Sequence, residues 1–422
     1  MAICPVCKTE CGDDTVCSVC GFDDVNRVFI NHEEAIEWER TVLLPFKESY
    51  LCQTNIDDVL KINGNRVVKY YKRSKVEKVI IPNGITSIAP KAFWGCKEIK
   101  EIYLPDSITE LPDNVFAFCS SLEKIQLSRN LKEIPKEIFE HCKSLKELFI
   151  PKSVTYIAGN AFCRCKNLRK VIVEEDNPQY KSVDNCLISK DGTLLFSGDG
   201  VLPEDGSIKH IYGEVFPTLD TVSIKIPEGV ISIECCWLAH PFMNCEKLEE
   251  IILPKSLECI GFGAFSWCKS LKEIVLPENV SKIDIESFSH CDSLRRIDVA
   301  KENKKLYSKN NCVINRETKE IVLAIKTSII PNDGSIEGIE YHAFERIIRT
   351  EPLVIPKSIV NIAENAFYDS QFDIYCEVLL KPINWNNNWC KWHKGNIYWG
   401  NEWHYEEGKP DRKSTRLNSS HA

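Results

Sequence analysis

The chain has 422 residues, 43% of them hydrophobic, so it is long enough to bury one large core or several. Its formal net charge is −8 and its sequence pI is about 5.7, with no basic run to offset this acidity. These values disfavour nucleic acid and anionic membranes as partners. No apolar run approaches the roughly 18 residues that span a bilayer. Because the N-terminus also lacks a secretory pattern, we expect a cytoplasmic location.

Residues 1–30 contain two Cys-x-x-Cys knuckles separated by a short spacer. The four thiols are those of Cys4, Cys7, Cys17 and Cys20. Two knuckles place four thiolates in the tetrahedral arrangement that structural zinc prefers, so we predict a ribbon that binds Zn²⁺. Such a site is closed and leaves no coordination position for catalysis. Cys11 lies outside both knuckles and is predicted to be a bystander, with substitution as a ligand as the alternative.

The predicted ribbon is acidic, because residues 1–30 contain five acidic side chains and only two basic ones, Lys8 and Arg27. Phosphate binding is therefore disfavoured. A capping box follows, formed by Asn31 and Glu34, and it predicts a helix within residues 31–52. We expect this helix to cap the first coil of the next domain; a free docking helix is the alternative.

A 23-residue unit recurs through most of the chain. Each unit contains a Phe. In most units a Cys follows three residues after the Phe, and a Leu follows three residues after the Cys. The Phe residues in phase are Phe93, Phe116, Phe139 and Phe162, then Phe242, Phe265 and Phe288, and finally Phe344 and Phe367. The repeating Cys is predicted to be a small buried side chain at a tight turn. The alternative is a ladder of thiols or of metal ligands.

A short strand follows the Leu of each unit. In Glu273–Leu276 every second residue is apolar, and Pro277 ends the strand because proline cannot continue a ladder. One unit could not fold alone, since ordering its backbone costs about 1–2 kcal/mol per residue. Burying each apolar side chain returns only about 1.5–3 kcal/mol. We therefore predict a β-rich solenoid over residues 53–375, with 23-residue coils and a parallel sheet on one side.

Two longer segments interrupt the 23-residue phase. Residues 176–216 match residues 303–344 further along the chain. We interpret them as hairpin insertions near 174–210 and 301–338. Because the 23-residue phase resumes after each, we interpret them as insertions into one solenoid and not as domain boundaries.

The end of the chain divides into two parts. Residues 376–410 carry clustered aromatic side chains, among them Trp385, Trp389 and Trp399, and we predict that they cover the exposed core of the last coil. Residues 411–422 resemble the translation of a sequencing-adapter oligonucleotide, so we expect the natural sequence to depart after about Pro410. An ordinary polar tail is the alternative.

The repeating Ile-Pro and Ala-Phe-x-x-Cys-x-x-Leu pattern resembles the BspA-like leucine-rich repeat family of bacteria. The resemblance covers roughly residues 60–375. It departs from the family pattern at Ser128, which replaces the Pro, and in a short extra stretch before Phe242. The resemblance implies a right-handed leucine-rich-repeat solenoid. Family members are often surface adhesins.

No catalytic motif is present in the sequence. It has no Gly-rich phosphate loop, no HExxH and no Gly-x-Ser-x-Gly. His141 and His290 each precede a repeat Cys, but the same slot holds many residue types, so chance placement is favoured over a Cys/His pair. The adjacent Cys235 and Cys236 are the other redox candidate. We expect a protein that is not an enzyme.

The outward-facing central column of the sheet is unusually apolar. Its apolar and aromatic members are Ile80, Tyr103, Phe149, Ile172, Ile252, Val275 and Val354, and its polar members are Gln126, Lys225 and Asp298. This column predicts a stripe that binds a protein partner or another copy of the chain. The β-propensity of residues in a sheet is the competing explanation.

The sequence therefore favours a non-enzymatic scaffold for protein–protein interaction in the cytoplasm. One alternative is an exported adhesin at the cell surface, as the resemblance implies. A second is a zinc-ribbon regulatory adaptor that contacts nucleic acid. The stripe, the ribbon thiols and the absence of catalytic motifs carry the first hypothesis.

Overall fold

The protein was examined as a computed structural model, which describes residues 59–72, 75–216, 221–235, 240–284 and 286–412. The described residues form two compact units. Unit 1 contains the described residues up to Leu168 together with Ile172–Pro178, and unit 2 contains Arg169–Val171 and the described residues from Gln179 onward. The predicted zinc ribbon and the predicted helix of residues 31–52 lie outside the described residues.

Both units are built from short β-strands. Unit 1 contains β1 (Leu60–Asn63), β2 (Arg66–Tyr70), β3 (Lys78–Ile80), β4 (Ser87–Ile88), β5 (Glu101–Tyr103), β6 (Lys124–Gln126), β7 (Glu133–Ile134), β8 (Glu147–Ile150) and β9 (Tyr156–Ile157). Strand β10 (Lys170–Val173) lies at the boundary. Unit 2 begins with β11 (Tyr180–Val183), β12 (Cys186–Ser189), β13 (Thr193–Ser197), β14 (His210–Tyr212), β15 (Ser223–Lys225), β16 (Ser232–Glu234), β17 (Glu250–Ile252), β18 (Cys259–Ile260), β19 (Glu273–Leu276), β20 (Lys282–Ile283) and β21 (Arg296–Val299). It continues with β22 (Leu306–Lys309), β23 (Cys312–Asn315), β24 (Glu320–Ala324), β25 (Gly338–Ile339), β26 (Leu353–Ile355), β27 (Asn361–Ile362), β28 (Ile374–Cys376), β29 (Ile397–Tyr398), β30 (Trp403–Glu406) and β31 (Lys409–Arg412).

The strands that follow the repeat Leu pair in parallel from coil to coil, as predicted. In unit 1, β3, β5 and β6 form one such ladder, and Val79 lies opposite Ile102, which lies opposite Ile125. In unit 2, β15 pairs with β17, β19 with β21, β26 with β28, and β28 with β29. In the strands β3, β5 and β6 the middle residues Val79, Ile102 and Ile125 are buried in the core, because side chains alternate between the two faces of a strand.

A second parallel ladder is present, whereas the sequence predicted a sheet on one side only. Strands of two or three residues form it, such as β7 with β9 in unit 1 and β14, β16, β18 and β20 in unit 2. These strands begin just before the second apolar residue after the start of a repeat unit. In β18 this residue is Ile260, which follows Pro254 and Leu257. That residue is buried, so an extended backbone at this point brings its amide and carbonyl groups beside those of the neighbouring coil.

The repeated Phe residues stack along the core of each unit. Ring centroids are 5.5 Å apart between Phe93 and Phe116 and 6.1 Å apart between Phe116 and Phe139. In unit 2 the spacing is 5.1 Å between Phe242 and Phe265. Each ring therefore contacts the coil on either side, which is why a single unit could not bury its own core.

The repeat cysteines are buried thiols that also donate hydrogen bonds. The Sγ of Cys142 donates to the Phe116 carbonyl at 3.2 Å, and the Sγ of Cys268 donates to the Phe242 carbonyl at 3.1 Å. Burial raises the pKa of the Cys142 thiol to about 12. The thiol thus stays protonated and satisfies a buried carbonyl of the previous coil.

Antiparallel hairpins occupy both predicted insertions. In the second, β22 pairs with β23 and β23 with β24 in antiparallel fashion, and β24 then pairs in parallel with β25 of the second ladder. The first insertion repeats this order with β11, β12, β13 and β14. The boundary between the two units falls at the start of this first insertion.

The C-terminal segment adds a further coil. Ile397 of β29 lies opposite Ile374 of β28, which preserves the 23-residue spacing beyond the predicted end of the repeats. Trp389 packs edge-on against Phe367 with ring centroids 5.4 Å apart, and both rings are buried. The terminal hairpin of β30 and β31 includes Asp411 and Arg412, the first two residues of the predicted foreign tail. The remaining residues of that tail, 413–422, lie outside the described residues.

Candidate protein-binding surface

The predicted stripe is distributed over both units, and its members differ in exposure. In unit 1, Phe149 is 48% exposed, Ile80 and Ile172 are half-buried, and Tyr103 is buried. The column position alone therefore does not determine which side chains reach solvent.

Neighbouring lysines explain the burial of Tyr103. The Nζ atoms of Lys78 and Lys124 lie 5.1 Å and 5.6 Å from the centre of its ring, on the two adjacent strands. Its hydroxyl donates to Glu101 Oε2 at 2.7 Å. Cation–π contacts and this hydrogen bond satisfy the side chain within the unit, so Tyr103 presents little surface to a partner.

Unit 2 has two well-exposed members of the stripe on neighbouring coils. Ile252 is 48% exposed and Val275 is 55% exposed, and they lie on the consecutive coils of β17 and β19. Val354 is half-buried. The polar members are held by ion pairs within the unit: Lys225 Nζ lies 2.8 Å from Glu204, and Asp298 lies 2.6 Å from Arg296.

Ile252 and Val275 line a groove of about 470 Å³ on the outer face of the sheet. Glu250 and Glu273 also line it, each two residues before its apolar neighbour and therefore on the same face of its strand. The groove thus combines an apolar centre with a row of carboxylates, in a size range suited to partner side chains.

The charged side chains of the groove are mostly acidic. Glu250, Glu273, Glu278 and Glu302 line it together with a single base, Lys255. Glu250 accepts a hydrogen bond from the Ser223 hydroxyl at 3.1 Å, and Glu273 lies 4.0 Å from Arg296. Among the described residues, no ion pair joins Glu250, Glu278 or Glu302 to a basic side chain.

The repeats match a known family model. Residues 68–187, 209–334 and 314–376 match the BspA type leucine rich repeat region, in six copies. The chain belongs to the BspA-type leucine-rich repeat family. This membership agrees with the Phe, Cys and Leu pattern of the coils. No curated protein matches the sequence.

Three solved structures illustrate what this BspA-type chain is similar to. A leucine-rich repeat protein from Eubacterium ventriosum shares 17% identity, with 83% of this chain and 96% of that chain covered and a TM-score of 0.48. The pneumococcal vaccine antigen PcpA shares 20% identity over 76% and 78% of the two chains, with a TM-score of 0.44. A leucine rich cell surface protein from Faecalibacterium prausnitzii shares 19% identity over 79% and 82%, with a TM-score of 0.38.

The two histidines that precede repeat cysteines face neighbouring coils of the BspA-type repeats. His141 stacks on Phe118 at 4.7 Å and lies 3.2 Å from Arg164, and His290 stacks on Trp267 at 3.9 Å. Both histidines adopt left-handed backbone angles, with φ of 58° and 57°. Burial and the charge of Arg164 lower the pKa of His141. Of the adjacent cysteine pair, Cys235 is half-buried and Cys236 lies outside the described residues.

Unit 2 also contains a largely buried cluster of titratable side chains that the sequence did not predict. His342 Nδ1 lies 2.6 Å from Glu345, and Arg346 lies 2.5 Å from Glu286, which is 60 residues away along the chain. These side chains line a cavity of about 70 Å³. Burial and repulsion from Glu286 raise the pKa of Glu345 to about 8. The second hairpin insertion lies between Glu286 and Arg346 in the sequence, so their proximity could not be predicted from the 23-residue repeat.

The predicted zinc ligands Cys4, Cys7, Cys17 and Cys20 lie outside the described residues. Within them, one group of side chains could bring three metal-ligating atoms together, namely His404, Glu406 and Asp411 on the terminal hairpin, and all three are exposed. Within the described part of the chain, no helical segment combines the length and the apolar character that crossing a bilayer requires.

Proposed function

We infer that this protein is a non-enzymatic scaffold that binds a protein partner on the outer face of the unit 2 sheet. The groove of Ile252 and Val275 carries this proposal, because two large apolar side chains on adjacent coils remain about half exposed. Burying both against a partner would remove apolar surface from water at roughly 25 cal/mol per Å².

A comparison with unit 1 supports a binding role over simple β-propensity. β-propensity accounts for an apolar side chain at each column position, whether or not that side chain is covered. Tyr103 is covered by Lys78 and Lys124, and Phe149 is the one member of the stripe in unit 1 that is about half exposed, whereas Ile252 and Val275 are exposed on consecutive coils. An uncovered apolar pair beside a row of carboxylates is typical of an interaction surface.

Several features support a role without catalysis. The repeat thiols are protonated and bonded to backbone carbonyls, so they are poor nucleophiles. His141 and His290 stack on aromatic rings of neighbouring coils. Family membership in a repeat class that presents broad binding surfaces agrees with this proposal.

The test removes the apolar centre of the groove and leaves the core intact. In the double variant Ile252→Asp, Val275→Asp, two charges replace the apolar pair, so we expect at least tenfold less partner to be retained, since each desolvated contact contributes about 1.4 kcal/mol or more. The measurement is quantitative mass spectrometry of proteins retained by the immobilised full chain from a lysate of the encoding organism.

The matched control is Ile329→Asp, Val360→Asp. These residues have the same types and are similarly exposed, at 61% and 51%, but they lie outside the groove. We expect the control to retain partners like the unmodified chain, and both variants to melt within a few degrees of it. Equal retention by the groove variant and the control would overturn the proposed function.

The N-terminal cysteines support a structural zinc ribbon as part of the same protein. Cys4, Cys7, Cys17 and Cys20 provide the ligand types and spacing of a closed tetrahedral site. We propose that this ribbon binds one zinc ion and takes no part in catalysis. The acidity of residues 1–30 argues against the nucleic-acid adaptor, which would be detected as salt-dependent retention on DNA or RNA.

A reducing compartment suits the chemistry of the chain. Repeat cysteines such as Cys119, Cys142 and Cys268 use their thiols as hydrogen-bond donors, and zinc ribbons also need thiolates that are not oxidised. We therefore propose a cytoplasmic location. The surface-adhesin role known among family members is the alternative, and protease treatment of intact cells distinguishes them, because it would degrade a surface protein and spare an internal one.

A further inference from the structure

We propose that the unit 2 groove binds an extended peptide segment in which apolar side chains are flanked by lysine or arginine. This inference rests on the proposed function and specifies the chemistry of the partner. The groove provides an apolar centre from Ile252 and Val275 and an acidic border from Glu250, Glu273, Glu278 and Glu302.

The apolar centre determines the spacing of the segment. Ile252 and Val275 occupy equivalent positions on the consecutive coils of β17 and β19, which belong to two separate two-stranded ladders, and both residues line the groove. A segment that crosses the coils therefore meets an apolar contact on each coil. Alternate residues of an extended chain are about 6.6 Å apart and point to the same side, so two apolar side chains at positions i and i+2 can contact this pair.

The acidic border determines the charge of the segment. Glu250 and Glu273 are also equivalent residues on consecutive coils, so their carboxylates are near neighbours of the same sign. Like charges at neighbouring sheet positions are unfavourable, and a basic side chain from a partner relieves this repulsion. Lys255 is the one basic residue that lines the groove, so the surface is complementary to a cationic segment.

Unit 1 shows how the same surface is arranged when its charges are balanced internally. There, the residues equivalent to Glu250 and Glu273 alternate between positive and negative charge from coil to coil. They are Lys78, Glu101, Lys124 and Glu147. Lys78 lies 3.9 Å from Glu101, and the lysines also cover Tyr103. In the groove of unit 2 the alternation is broken by two successive glutamates, and the adjacent column residues Ile252 and Val275 are exposed.

The experiment selects ligands without assuming a natural partner. A display library of random peptides about twelve residues long, long enough to cross the groove at about 3.3 Å per residue, is sorted on the immobilised full chain. Peptides that Ile252→Ser, Val275→Ser fails to bind are scored as groove ligands, because this variant removes the apolar contacts without adding negative charge to an acidic groove. We expect these to be enriched in lysine and arginine next to apolar residues.

Charge reversal provides the decisive comparison. In Glu250→Lys, Glu273→Lys the preference should invert toward acidic peptides, and the affinity for the basic peptides should fall about tenfold, as expected when two exposed charge pairs become repulsive. The matched control is Glu175→Lys, Glu317→Lys, which reverses two exposed glutamates outside the groove and should leave selection unchanged. Raising the salt from about 0.1 M to about 1 M should also weaken the basic peptides severalfold, because the Debye length shortens from about 10 Å to about 3 Å.

The outcomes separate this inference from the proposed function. Groove ligands without basic enrichment, or unchanged by the glutamate reversal, would overturn the inference and leave the scaffold intact. If no selected peptide is sensitive to Ile252→Ser, Val275→Ser, and the lysate experiment also shows no difference, the proposed function itself is wrong. Basic groove ligands whose preference inverts with Glu250→Lys, Glu273→Lys would support both.

Discussion

At the scale of single residues, Glu345 occupies the most unusual environment described in the chain. Its side chain is 4% exposed and lies between His342 and Arg346, with Glu286 also close. Burial and the neighbouring carboxylate raise its pKa to about 8 from an ordinary value of 4.5. At neutral pH the folded protein therefore holds a proton on Glu345, whereas the unfolded chain has released it.

This difference predicts a specific pH dependence of stability. The folded state binds the proton more tightly than the unfolded chain does. The stabilising contribution of Glu345 to the free energy of unfolding is therefore complete below about pH 4.5 and is lost as the pH rises toward about 8. Glu345→Gln cannot titrate, so we expect it to exceed the unmodified chain in unfolding free energy at pH 9 by about 1–3 kcal/mol. Denaturant unfolding at pH 5, 7 and 9 measures the difference.

Glu317→Gln is the control, because Glu317 is exposed and lies outside the cluster. It should follow the unmodified chain at each pH. Burial lowers the pKa of His342, so this histidine is neutral in both states above about pH 7 and does not contribute to the window from pH 7 to pH 9. Parallel pH profiles for Glu345→Gln and the unmodified chain would contradict the prediction.

At the scale of elements, a buried asparagine precedes each hairpin insertion and forms hydrogen bonds to the coil before it. Asn303 is 2% exposed, and its Nδ2 donates to the carbonyls of Pro277 at 3.0 Å and Val280 at 2.8 Å. Its Oδ1 accepts from the amides of Lys305 and Leu306. Asn177 makes the equivalent bonds to Pro151 and Val154 in unit 1. One side chain thus satisfies backbone groups that the interrupted coil would leave unpaired.

Replacing this asparagine should loosen the second insertion. In Asn303→Ala four backbone groups lose a hydrogen bond; the Pro277 carbonyl keeps its bond from the Val280 amide, and each buried group that is left unsatisfied costs about 1–3 kcal/mol. We expect faster amide hydrogen exchange in β22 and β23 and an unfolding free energy lower by at least about 2 kcal/mol. Hydrogen exchange read by mass spectrometry resolves these strands.

Asn279→Ala is the matched control for this prediction. The Asn279 side chain donates one exposed hydrogen bond, to the Lys255 carbonyl at 2.8 Å. Its loss should change stability by less than about 0.5 kcal/mol, as for most surface substitutions. Exchange rates in β22 and β23 that are the same in both variants would show that Asn303 does not hold the insertion.

At the scale of the whole molecule, unit 2 forms its core from residues that lie far from the N-terminal cysteines in the sequence. The core residues of unit 2 come from its own coils, including Phe242, Phe265 and Phe288 in one cluster and Phe344 and Phe367 in another. The stacked rings from Phe93 to Phe162 are likewise buried in the core of unit 1. Metal binding and the stability of unit 2 should therefore be separable.

Metal analysis of the purified full chain should give about one zinc ion per chain, the content of one Cys₄ site. Cys4→Ser, Cys20→Ser should lose that zinc while keeping the strand signal of unit 2 in far-ultraviolet circular dichroism, because the core clusters of unit 2 contain neither residue. Cys96→Ser, which alters a buried repeat thiol, should keep the zinc. Zinc retained by the knuckle variant would exclude the predicted ligand set.

The sequence by itself determined the repeat and the positions of the core. The 23-residue period is a local property, and burial at Phe, Cys and Leu follows from stacking similar coils, so these predictions are confirmed. The tertiary structure decided the rest, including the second ladder and the exposure of the stripe. Tyr103 is buried and Val275 exposed because of side chains on adjacent coils, which lie one repeat away in sequence. The pairing of Glu286 with Arg346 spans an insertion, so only the folded chain brings those charges together.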